Sequence, residues 1–178
     1  MTWTDQIGNL LKQYTSGGAA AAPAPDVHAH FDQMAAAAPA SALAEGLSAA
    51  FKSDQTPAFG QMLSTMFNSS SGEQKAGIIN QILSSVPPGT LTSLLSGAGL
   101  GGILGGAGGG TPQFTPEQAQ KISPEVVQQM ATAAHTADPS IVDSVSNFYA
   151  QHSTLIKTLG GTALTIALAK VAEKQRQA

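Results

Sequence analysis

Cysteine is absent from all 178 residues. That excludes a disulfide framework, a thiolate nucleophile and a cysteine-ligated metal. Charge is also scarce. Asp, Glu, Lys and Arg make up 11% of the chain, less than half the ~25% usual in globular proteins. The eight basic residues are scattered, with Arg176 the single arginine. Duplex nucleic acid requires several phosphate contacts on one face, so no nucleic-acid partner is expected. No basic segment followed by an apolar core opens the chain, and Asp5 stands where the basic residues of a secretory signal would be. Runs of ~20 strongly apolar residues, the length that spans a bilayer, are missing. Together these absences predict a cytoplasmic protein, with peripheral membrane contact as the alternative. Period-2 alternation between hairpin turns is missing too, which argues against sheet.

What is present is alanine and a supply of helix-start signals. Leu, Ile, Val and Phe together form about a fifth of the chain, near the lower edge for a folded domain. The net charge of −3 is too small to hold the chain open. Alanine favours helix but buries little surface, so the expected fold is all-α with thin cores.

Trp3, Ile7, Leu10, Leu11 and Tyr14 fall on one face of a helix over 1–14. Residues 15–25, with Gly17-Gly18 and an Ala-Pro-Ala-Pro element, read as a linker that leaves this helix tethered. A first helical lobe is expected over 26–96. Asp26 is read as the cap of a helix carrying Val27, Phe31 and Met34, and Ser41 as the restart after Pro39. Thr56-Pro57 is read as the opening of a helix with Phe59 and Met62, Glu73 as the start of a helix with Ile78, Ile79, Ile82 and Leu83, and Pro87-Pro88-Gly89 as its stop. Phe31-Asp32-Gln33-Met34 and Phe59-Gly60-Gln61-Met62 echo each other, as in a duplicated helical hairpin or by coincidence in a low-complexity chain.

Residues 97–113 form a glycine-rich tract, read as a linker to a second lobe over 114–178. A sharper alternative exists. Gly97, Gly101, Gly105 and Gly109 recur every four residues, and on one helix they would make a small-residue packing ridge. The stretch 76–116 carries no charge, so membrane association through it is a second possible function. In the second lobe, Thr115-Pro116-Glu117 and Ser123-Pro124-Glu125 are successive helix starts, and Asp138-Pro139-Ser140 restarts the chain. The last helix has an uncharged run from Thr158 to Ala169 that spans only ~18 Å, suited to a central core helix or an interfacial one.

No catalytic constellation emerges. His28 and His30 point to nearly opposite sides of a helix, and His28 with Asp32 reads as a solvated i, i+4 pair. His135 and His152 sit near helix ends, where imidazole meets terminal carbonyls. Asp5, Asp26, Glu73, Glu117, Glu125 and Asp138 occupy cap or first-turn positions. The glycine tract lacks the Lys-Ser/Thr of a phosphate loop. No catalytic, cofactor or metal site is therefore expected.

The capped short helices, the Gly-Leu tract and Ser123-Pro124-Glu125-Val126-Val127-Gln128-Gln129 resemble small bacterial proteins of the YidB-like type over residues 73–130. The resemblance implies a bacterial source and an all-helical fold, and brings no activity or site residues. The expected protein is thus all-α: short-helix bundles in two lobes joined by a glycine-rich linker, with a tethered N-terminal amphipathic helix. Its expected role is non-enzymatic contact with a protein partner or a second copy through Trp3, Ile7, Leu10, Leu11 and Tyr14.

Overall fold

The structure, a computed structural model, describes residues 26–97, 99–104 and 113–177. The N-terminal stripe (Trp3, Ile7, Leu10, Leu11, Tyr14), the linker 15–25, Gly105 and Gly109 lie outside the described residues. Every element among the described residues is a helix, with no strand: the all-α expectation holds. In chain order they are α1 (Val27–Ala37), α2 (Ala40–Phe51), α3 (Phe59–Asn68), α4 (Gly72–Ser85), α5 (Pro88–Gly97), α6 (Gly101–Leu104), α7 (Pro116–Ala119), α8 (Pro124–Ala137), α9 (Ile141–Ala150), α10 (Ser153–Ile156) and α11 (Gly161–Gln177).

These helices group into two compact units. Among the described residues, one comprises 26–57 together with 146–177; the other is Ala58–Val145. This grouping differs from the expected lobes over 26–96 and 114–178. Each expected lobe contributes helices to both units, because the long helices find their partners far away in sequence rather than next door.

In the first unit α11 packs on α2 and α1. Residues 163–168 of α11 are all buried, while Thr158 and Gly160 of the uncharged run precede the helix and are exposed, so the helical part of the run is core rather than interfacial. The α2–α11 crossing is close because Gly46 has no side chain. A Cβ there would lie 2.6 Å from the Ala167 carbonyl oxygen and 2.8 Å from Val171 Cγ2. Ala42 and Ala50, four residues either side, are also buried, so α2 presents a ridge of small residues. Leu43, Leu47 and Phe51 supply its bulk. Exposed ion pairs fringe the unit, among them Lys174 with Glu45 at 2.7 Å, Lys157 with Asp32 at 2.8 Å and Lys170 with Glu173 at 2.8 Å, each worth about 0–1 kcal/mol.

In the second unit α8 packs on α3, α4 and α5, and α7 packs on α4. Another glycine sets the main crossing: a Cβ on Gly60 would lie 2.7 Å from both the Gln128 carbonyl oxygen and Thr132 Oγ1. Met62, Leu63, Met66, Phe67, Ile78, Ile79, Ile82, Leu83, Val127 and Met130 fill the core.

α7–α8 and α10–α11 share a design. Each is a one-turn helix, four residues, then a long helix. Ala119, Ile122, Val127, Met130, Ala131 and Ala134 are buried in the first, and Ile156, Leu159, Leu164, Ala167, Leu168 and Val171, each 37 positions later, in the second. The Phe31/Met34 and Phe59/Met62 pairs are likewise all buried, one pair in each unit. Their middle positions diverge: Asp32 is exposed and pairs with Lys157, while Gly60 is buried against α8.

Several helix starts depart from the sequence expectation. Thr56 does not open α3, whose N-cap is Ala58. Its hydroxyl donates instead to the carbonyls of Ala50 and Ser53 at 2.6 and 2.8 Å, closing the end of α2. Asp26 stands at the N-cap of α1 without a side-chain cap bond. α4 starts on a capping box: Ser71 Oγ accepts the Gln74 N–H and Gln74 Oε1 accepts the Ser71 N–H. Pro87-Pro88-Gly89 ends α4 and at once begins α5, with Pro88 as its first residue.

Candidate functional site

Of the expected ridge, Gly97 and Gly101 are described, and they do not share a helix. α5 ends at Gly97 and α6 begins at Gly101. Between them Gly99 adopts φ +73°, the left-handed conformation that glycine enters without a Cβ penalty. Gly99 N–H donates to Ser96 O at 3.1 Å and Leu100 N–H to Leu95 O at 2.7 Å. This is the Schellman pattern that stops a helix. A Cβ on Gly97 would meet nothing within 4 Å, and one on Gly101 would reach only Ser96, at 3.6 Å and beyond. Among the described residues no second helix crosses closely at either glycine. The close approaches fall at Gly46 and Gly60 instead. The sequence signal for Gly46 was legible in Ala42-Gly46-Ala50, where small residues repeat every four positions inside a helix-forming segment.

Most of the glycine tract, residues 98 and 105–112, lies outside the described residues, but its flanks can be located. α5 on one side of it and Phe114 on the other belong to the same unit. Phe114 is buried, and the Asn80 side chain on α4 grips its backbone. Asn80 Oδ1 accepts the Phe114 N–H at 2.7 Å, and Asn80 Nδ2 donates to the Phe114 carbonyl at 3.3 Å. The Thr115–Gln118 capping box follows immediately and starts α7. The described residues on either side of the tract thus belong to one unit.

That unit carries an open groove of about 560 Å³ lined by Leu94 of α5 and by Glu125, Gln128, Gln129, Thr132 and Ala133 of α8. Its chemistry is that of amides beside a half-buried leucine. The Thr132 hydroxyl is engaged, donating to the Gln128 carbonyl at 2.8 Å. Glu125 titrates below the ordinary carboxylate range, held there first by its own backbone N–H and then by the Ser123 hydroxyl. Both are helix-start interactions that favour the charged form. The lining brings together hydrogen-bonding groups and apolar surface but no nucleophile with a base.

His135 and His152 each pack against a phenylalanine. His135 stands in the last turn of α8, its ring 5.7 Å from that of Phe59, and its buried Nδ1 has no hydrogen-bond partner among the described residues. His152 is the N-cap residue of α10, with its ring 5.0 Å from Phe148. The Asp32 carboxylate pairs with Lys157, which replaces the expected pairing with His28. Among the described residues no group of three or more His, Asp and Glu could hold a metal ion. Among them, too, no helix is long and apolar enough to cross a membrane. No protein-family model, curated protein or solved structure matches the chain.

Proposed function

We propose that this chain is a non-enzymatic interaction protein that engages a protein partner or a second copy through the apolar face of its first fourteen residues. The observation that carries this reading is the burial pattern downstream. Large apolar side chains from Val27 onward close two separate helical cores. In the sequence, Trp3, Ile7, Leu10, Leu11 and Tyr14 fall at helical spacing on one face, and an Ala/Pro/Gly segment separates them from Val27. The same pattern favours protein contact over membrane association. Within the uncharged stretch, Ala76, Ile78, Ile79, Ile82, Leu83, Val86, Leu91, Leu95 and Phe114 are buried, which withdraws them from any lipid surface.

The test compares the full chain with a Leu10→Glu/Leu11→Glu variant and with a chain lacking residues 1–25. Oligomeric mass is measured by light scattering, and co-purifying proteins are identified by mass spectrometry. Both altered chains are expected to lose the assembly or the co-purifying proteins while keeping the circular-dichroism signal of the remaining helices. Identical mass and an identical set of co-purifying proteins in all three would overturn the proposal.

A further inference from the structure

We draw no further inference here: the strongest candidate, the open groove between α5 and α8 lined by Leu94, Glu125, Gln128, Gln129, Thr132 and Ala133, is an unpartnered surface, and nothing in the structure shows what covers it.

Discussion

A single methyl group at position 46 would have to displace backbone, since the nearest atom to it is the Ala167 carbonyl oxygen. Alanine ordinarily improves a helix interior by about 1 kcal/mol over glycine. Here the overlap with a neighbouring helix outweighs that gain, because overpacking a close crossing costs about 1–3 kcal/mol. Gly46→Ala is therefore expected to lower stability in urea denaturation. Gly89→Ala is the control. It lies in the first turns of α5, where a Cβ meets nothing within 4 Å, and should raise stability by up to about 1 kcal/mol. Equal shifts of the two midpoints in the same direction would refute the crossing argument.

Charge at the residue scale belongs to helix starts. Glu117 and Glu125 titrate low chiefly through their own backbone N–H groups, with help from Thr115 and Ser123; Asp138 does so through the Ser140 hydroxyl and N–H. A carboxyl whose folded pKa is depressed contributes stability that is present above the unfolded pKa and lost as pH falls through the folded one. All three residues lie in the unit Ala58–Val145. Urea midpoints of that unit should stay level from pH 7 to about 5 and decline below about 4, where carboxylates protonate. Glu117→Gln should flatten the decline. A midpoint independent of pH down to about 3 would contradict it.

At the scale of elements, Asn80 plays the part that a strand edge would play elsewhere: it supplies a donor and an acceptor to the backbone of Phe114. Removing it leaves a partly buried N–H and C=O without partners, which costs about 1–3 kcal/mol. Asn80→Ala should accordingly destabilise the unit by that amount and speed amide hydrogen exchange at Phe114. Unaltered exchange there would show that the backbone finds other partners. Helix starts were the most legible elements. Thr115-Pro116-Glu117 and Ser123-Pro124-Glu125 open α7 and α8 where their chemistry indicates. Thr56-Pro57 misled because a threonine hydroxyl serves a preceding helix end as readily as a following start. Gly97 and Gly101 have a four-residue spacing that suits a helix ridge, but the conformational freedom of Gly99 between them suits a helix stop, and they fall on separate helices.

At the scale of the whole molecule, the pairings cross the chain. α11 finds α2 and α1, more than a hundred positions earlier, and α8 finds α3 and α4 across the glycine tract. A fragment Ala58–Ala150 therefore contains a complete set of partners and should melt cooperatively with a helical spectrum. A fragment 114–178, the lobe that composition suggests, lacks α1–α4 and should show little cooperative helix. Cooperative melting of the second fragment would restore the linker division.

Local chemistry, which is encoded residue by residue, was enough to determine the all-α class, most helix boundaries and the apolar face of each helix. It also assigned the acids at helix starts to capping, and the structure bears this out for Glu117, Glu125 and Asp138. Which helices pack together, and hence that α5 and Phe114, on either side of the glycine tract, share one unit, was decided only in three dimensions. Where two helices cross is set by where their backbones can approach, and that depends on Gly46 meeting Ala167 and Gly60 meeting Gln128, contacts between positions far apart along the chain.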